Sequence, residues 1–217
     1  MPAKRPLLLD VSLWSANLVN LAAEIESVAP FSDSFHIDVA DGHFAPTLLF
    51  FPALVAAIRT VTAKPLHVHL MVSDPAALVA PFIEAGVDMI SVHVETRTVS
   101  DALKLISRAG RKAGLALLLE SPIDLLRDHL VHIETVIALG TQVGVKGVDL
   151  APEACQRLGA IREMIGPHPQ IQLYADGGIR EQTVPQLREA GADGVVPGSL
   201  LFNSRDPARV YEWLKAL

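Results

Sequence analysis

Short aliphatic runs alternate with longer amphipathic stretches along the whole chain. The runs at residues 7–14 (LLLDVSLW), 34–40 (SFHIDVA), 65–71 (PLHVHLM), 88–94 (DMISVHV), 114–119 (GLALLL), 133–139 (IETVIAL), 170–175 (QIQLYA) and 193–198 (DGVVPG) have the length and aliphatic character of strands. The amphipathic segments near 17–29, 51–60, 75–85, 98–109, 122–128, 151–165, 180–190 and 206–217 predict helices. Glycine follows three of these helices, in EAGVD (84–88), RAGRKAG (108–114) and EAGAD (189–193), as expected just past a helix C-terminus. Asp74 before Pro75, and Asp206 before Pro207, read as N-caps with proline at the first helical position. Eight β–α units of about 27 residues each predict a parallel sheet. Eight is also the number that closes a (β/α)8 TIM barrel, so an α/β barrel of one domain spanning 1–217 is expected, with an open doubly wound sheet as the alternative.

The alternation within the strands carries the chemistry. His36, Asp38 and Ala40 share one face of the second strand, with Ile37 and Val39 on the other. His67, His69 and Met71 alternate with Val68 and Leu70 in the third, and Ser91, His93 and Glu95 with Val92 and Val94 in the fourth. Gln172, Tyr174 and Asp176 stand opposite Leu173 and Ala175 in the seventh. The apolar faces suit a helix layer, which leaves the polar faces to the barrel interior, with titratable groups near the C-terminal strand ends where barrel active sites are built. A single interior histidine is ordinarily a hydrogen-bonded core residue. Two histidines and two carboxylates converging from three strands ask for more, because an unpaired buried charge costs several kcal/mol. His36, Asp38, His69 and Asp176 form an N2O2 set suited to one divalent ion of Zn, Fe(II), Mn or Co rather than Mg or Ca. His129, His132 and His168 are expected at the surface, and His43 either serves the site from its loop or stabilises that loop.

Composition narrows the class. A formal charge of −6 with a pI near 5.7 argues against nucleic acid as a partner. The only cysteine, Cys155, rules out an internal disulfide and fits a reducing compartment. Three leucines before Asp10 are too few for a signal-peptide core, and His43, Pro46 and Pro52 interrupt the longest uncharged run. A cytoplasmic protein without a membrane segment is expected. Two glycine-bearing turns, ADGGI (175–179) and VPGSLLF (196–202), follow the last two strands, where many barrels hold a phosphate against backbone amides.

Taken together, SLWSANL (12–18), HIDVADGHFAP (36–46), HVHLMVSDP (67–75), SVHVE (91–95), KAGLAL (112–117), ADGGI (175–179), AGAD (190–193) and GSLLF (198–202) resemble the ribulose-phosphate 3-epimerase family of ketose-phosphate epimerases, over nearly the whole chain. The resemblance implies a barrel of the ribulose-phosphate-binding type that inverts the carbon beside the ketone of a phosphorylated ketose. His36, Asp38, His69 and Asp176 would hold the metal, and Asp38 and Asp176 would be the acid/base pair on opposite faces of the sugar. Ser12 and His69 would contact substrate, while Gly144, Gly147, Gly177, Gly178, Gly198 and Ser199 would lie at the phosphate. Such an inversion needs two carboxyl groups in opposite protonation states. A homo-oligomer is expected as well.

The chain also departs from that pattern. The family segment M-x-V-x-P-G-F-x-G-Q after the sixth strand reads LGTQVGVKGV (139–148) here, which keeps Gly144 and Gly147 and introduces Lys146. Ala40 and Leu139 replace family methionines while Met71 stays, Trp14 stands where a smaller aliphatic is usual, and Thr47 where Asn is usual. Leu118 and Leu119 replace a polar residue and a proline. These changes fall on the substrate-enclosing shell, so Trp14, Ala40, Met71, Leu139 and Lys146 are candidate specificity residues. The simplest expectation is interconversion of ribulose 5-phosphate and xylulose 5-phosphate. Another ketose phosphate, such as allulose 6-phosphate, and a non-catalytic sugar-phosphate binder are the alternatives. The DxKxxD pattern of related decarboxylases and synthases is absent, with LMVSDP (70–75) in its place.

Overall fold

Strands form where leucine and β-branched residues concentrate between glycine or proline breaks. They are β1 Leu8–Ser12, β2 Ser34–Asp41, β3 Leu66–Met71, β4 Met89–His93, β5 Lys112–Leu117, β6 Thr135–Leu139, β7 Gln172–Asp176 and β8 Gly194–Val195. In the computed structural model, which describes residues 5–217, each strand pairs in parallel with the next, and β1 pairs with both β2 and β8. That second pairing closes a (β/α)8 barrel and excludes the open sheet. The start of the chain, including the basic Lys4, lies outside the described residues. A two-residue strand, Leu48–Leu49, adds an antiparallel pairing with Ala40 and Asp41 that the sequence pattern did not reveal.

Helices α1 Leu21–Val28, α2 Pro52–Val61, α3 Pro75–Glu84, α4 Val99–Arg108, α5 Ala154–Ile165, α6 Val184–Glu189, α7 Ser199–Phe202 and α8 Pro207–Lys215 surround the strands. The segment expected as a helix at 122–128 is instead a 3-10 stretch, Ile123–His132. It carries two Asp and two His, which are weak α-helix formers, and only Leu126 and Leu130 bury. The first helix begins later than expected, because Leu18–Asn20 forms a separate 3-10 turn whose amide at Val19 is capped by Asn17. Asp206 caps α8 by accepting from the Arg209 amide at 3.1 Å. Asp74 does not cap α3: its carboxylate accepts from the Thr98 hydroxyl at 2.8 Å and ties the start of α3 to the start of α4.

The outward strand faces pack against the helices in one continuous aliphatic core that includes Val11, Ile37, Val68, Val92, Leu115, Val136 and Leu173. Side chains also fill the barrel interior, but they are segregated. The β5–β8 side is apolar, with Ala116, Ile137, Leu139, Tyr174 and Val196 in one cluster. The β1–β4 side is polar and fully sequestered, with Asp10, Ser12, His36, Asp38, His67, His69, Ser91 and His93 all buried. The site stands on that polar wall.

Candidate active site

Parallel register sets the polar groups side by side. Ser12 pairs with His36 across β1 and β2, His36 with His67 and Asp38 with His69 across β2 and β3, and His69 with Ser91 across β3 and β4. Asp176 reaches the same place from the end of β7. His36 Nε2 lies 3.2 Å from Asp38 Oδ1 and 3.9 Å from Asp176 Oδ2, and His69 Nδ1 lies 3.4 Å and 3.7 Å from the same two oxygens. The Ser12 hydroxyl donates to Asp38 Oδ2 at 2.8 Å. One side-chain nitrogen or oxygen from each of His36, Asp38, His69 and Asp176 thus falls within 4.8 Å of the others, so these four could hold a metal ion.

Beneath this group lies a cluster that sequence reading missed. Asp10 Oδ2 is 2.8 Å from His36 Nδ1 and 2.6 Å from His67 Nδ1, and Asp10 Oδ1 accepts from the Ser34 hydroxyl at 2.6 Å. His67 Nε2 is 2.7 Å from the Ser91 hydroxyl. With Asp10 ionised, every proton has an acceptor: both imidazoles donate from Nδ1, and Ser91 donates to His67 Nε2. Distances of this size are those of hydrogen bonds, so we read Asp10, His36 and His67 as a hydrogen-bonded support rather than a second ion site. The signal was present, since Asp10 and Ser12 alternate inward along LLLDVSLW as His36 and Asp38 do along the next strand.

Electrostatics differentiate the two site carboxyl groups. Burial raises Asp38, but the adjacent His36, through its charge and its hydrogen bond, outweighs burial and holds the group well below the ordinary carboxylate value. Burial also raises Asp176, and despite the opposing pull of His36 the Asp38 and Asp10 carboxylates help push it up to about 7. His36 lies between Asp38 and Asp10, which overcome its burial and raise it well above the usual histidine value. His69 is lowered to about 3, chiefly by burial. Without a cation, protons on His36 and Asp176 thus relieve the charge of the buried carboxylates. A divalent ion would take the place of the His36 proton and offset the carboxylate charge, and the donor set fits one.

A cavity of about 180 Å³ opens above these groups. Asp38 and Asp176 form its floor, Gly177, Gly178, Gly198 and Ser199 one end, and Gly144, Lys146 and Gly147 the overhanging loop. Gly178 has φ +67°, and a Cβ there would come within 2.6 Å of the Leu150 backbone, so this turn admits no side chain. Trp14, Met71 and Leu139 line the cavity, whereas Ala40 is buried beside it with Ala45 and Met71. Lys146 Nζ donates to the Trp14 carbonyl at 2.8 Å and joins two loops across the mouth. Thr141, Gln142 and Arg180 also line the cavity, and none was singled out from sequence, because loop paths decide their position. His43 is exposed and outside the cavity lining, in the loop held by Asp41, whose carboxylate accepts from the amides of Ser73, Phe44 and His43. His132 is exposed, and His129 and His168 are half-buried.

Residues 8–202 match the ribulose-phosphate 3 epimerase family. The chain belongs to that family. Relatives include the ribulose-phosphate 3-epimerases of Synechocystis sp. (36% identical, covering 89% of this chain and 86% of the relative) and Bacillus subtilis (32%, covering 90% and 92%). The chloroplastic ribulose-5-phosphate-3-epimerase of Arabidopsis thaliana is 31% identical, with 99% and 78% covered. Among solved structures, a 3-keto-L-gulonate-6-phosphate decarboxylase from Vibrio cholerae matches with a TM-score of 0.72 at 16% identity, covering 99% of this chain and 97% of that one. A 3-hexulose-6-phosphate synthase matches with a TM-score of 0.69 at 18% identity, covering 97% and 98%. These two likenesses show the barrel fold alone. As a member of the epimerase family the chain is an isomerase, and no described helix is long and apolar enough to cross a membrane.

Proposed function

We propose that this epimerase inverts the carbon beside the ketone of a phosphorylated ketose, most simply interconverting ribulose 5-phosphate and xylulose 5-phosphate. The observation that carries the reading is the pair Asp38 and Asp176, from β2 and β7, meeting at one cavity floor with opposite protonation preferences. In the forward direction one carboxylate takes the proton from the carbon on its face of the sugar, and the other, protonated, returns one to the opposite face. Ser12 holds Asp38 in orientation through its hydroxyl. His36, Asp38, His69 and Asp176 would hold one divalent ion of Zn, Fe(II), Mn or Co. When bound, that ion supplies a Lewis acid for the charge developing on the substrate oxygens and neutralises the buried carboxylates. Gly144, Gly147, Gly177, Gly178, Gly198 and Ser199 would receive the phosphate, and Ser12 would border the sugar. Arg180, at the phosphate end, adds a cation suited to that group. His69, expected from sequence to contact substrate, is fully buried outside the cavity lining and would serve the ion alone.

Because the ion must displace the proton from His36, its affinity is expected to fall as pH drops from 8 to 6, by about 10-fold per pH unit for the one proton released. Chelator competition at pH 6, 7 and 8 would show this slope. Equal affinity at all three would contradict the assignment of these ligands.

The shell formed by Trp14, Ala40, Met71, Leu139 and Lys146 sets which sugar fits. The Lys146–Trp14 tie favours a second reading, an epimerase or isomerase for another ketose phosphate such as allulose 6-phosphate, because the loop bearing Lys146 is the most altered part of the family pattern. Specificity constants for a panel of ketose phosphates decide between them. Ribulose 5-phosphate is expected to lead, and a clear lead for a hexulose phosphate would select the second reading. A non-catalytic binder would have no use for two opposed carboxyl groups. Exposed Leu18, Val19, Leu48 and Phe51 support the expected homo-oligomer, and the unpaired Cys155 suits the cytoplasm.

A further inference from the structure

We propose that Glu95 is a positioning residue of this site: acting through His93, it sets the tautomer of His69 and leaves the Nδ1 lone pair of that ring facing Asp38 and Asp176. The inference deepens the metal-site reading above and rests on it. His69 Nε2 lies 3.0 Å from His93 Nε2, and His93 Nδ1 lies 3.2 Å from Glu95 Oε2. The other oxygen, Glu95 Oε1, accepts from the Leu118 amide at 2.8 Å. A contact between two imidazole nitrogens has one proton, and either ring can carry it. Glu95 removes the ambiguity. As a carboxylate it only accepts, so His93 carries its proton on Nδ1. A neutral His93 then offers a lone pair at Nε2, which obliges His69 to donate from Nε2. His69 Nδ1 is left without a proton, 3.4 Å from Asp38 Oδ1 and 3.7 Å from Asp176 Oδ2.

Packing holds the chain of contacts in this order. His69 and His93 are fully buried, so the contact between them is made within the protein and not shared with solvent. His93 stacks on His69 with centroids 5.0 Å apart, and Phe44 covers it at 4.5 Å. Glu95 lies just past the end of β4 and outside the cavity lining, so it acts on His69 rather than on substrate. Such outer carboxylates commonly fix the ring orientation and basicity of a histidine that binds metal.

Glu95→Gln provides the test. Its single carbonyl oxygen would stay on the Leu118 amide, turning the NH2 group toward His93 Nδ1. That reverses every donor along the chain and puts a proton on His69 Nδ1. Long-range 1H–15N correlation spectra of the metal-free wild type, labelled at histidine, are expected to show His69 protonated at Nε2. The variant is expected to show it protonated at Nδ1, with Zn2+ affinity by chelator competition 10-fold to 100-fold weaker. A role confined to stability would shift the unfolding midpoint while leaving tautomer and affinity unchanged, and that result would overturn the proposal. So would a wild-type His69 protonated at Nδ1, a measurement that decides the question even if the variant does not fold. Absence of turnover with any ketose phosphate would sink the functional reading while leaving the tautomer result to stand or fall separately.

Discussion

Asp176→Asn is expected to lower epimerisation by about 10²-fold to 10⁴-fold at saturating metal, the range spanned by loss of one general acid–base partner. The reason lies in the stereochemistry. Asp38 remains, ionised and held by Ser12, so a proton can still be exchanged on its own face of the substrate. What disappears is the group that delivers a proton to the other face. Exchange without inversion is therefore expected to survive better than inversion, and binding of the phosphate, whose glycine turns are untouched, is expected to change little. Separate measurement of solvent exchange and product formation distinguishes this from general damage. Equal loss of exchange and inversion, with phosphate binding kept, would contradict a division of labour between Asp38 and Asp176.

Asp10→Ala is expected to be the most destabilising single change in the barrel interior. It removes the acceptor shared by His36 and His67 and the partner of Ser34, all of them buried. Breaking a buried charged network from one side costs about 3–5 kcal/mol. For a chain of this size that corresponds to an unfolding midpoint lower by about 10 °C. The sign with pH follows from the depressed Asp10 value, which His67 and His36 maintain against burial. The stabilisation is present above the unfolded carboxylate value near 4 and is lost as pH falls below it. Calorimetry of wild type and variant at neutral pH checks the magnitude, and a midpoint within about 2 °C would show that the cluster contributes little.

Much of the barrel was legible because its signals are local. Eight aliphatic runs, the glycines after α3, α4 and α6, and the inward alternation of His36, Asp38 and His69 each depend on only a few neighbouring residues. The misses depend on neighbours distant in sequence. Asp10 reads as a break in an apolar run until β2 and β3 bring His36 and His67 against it. Asp74 had the sequence of a cap, but Thr98, from the start of the next helix, took its carboxylate. Lys146 stands in the sequence as a candidate specificity residue with no visible partner, yet its ammonium meets the carbonyl of Trp14, which lies 132 positions earlier in the chain. His93 and Glu95 were placed on the polar face without a role, because their connection to His69 is a matter of ring orientation rather than spacing.

The central claim is proton transfer at the carbon beside the ketone. The most direct measurement is incorporation of deuterium at that carbon when metal-loaded protein acts on ribulose 5-phosphate in heavy water, followed by NMR. The expected result is xylulose 5-phosphate carrying solvent deuterium at the inverted carbon, with label entering the remaining substrate as the reaction reverses. No incorporation, with this or any other ketose phosphate, would contradict the account.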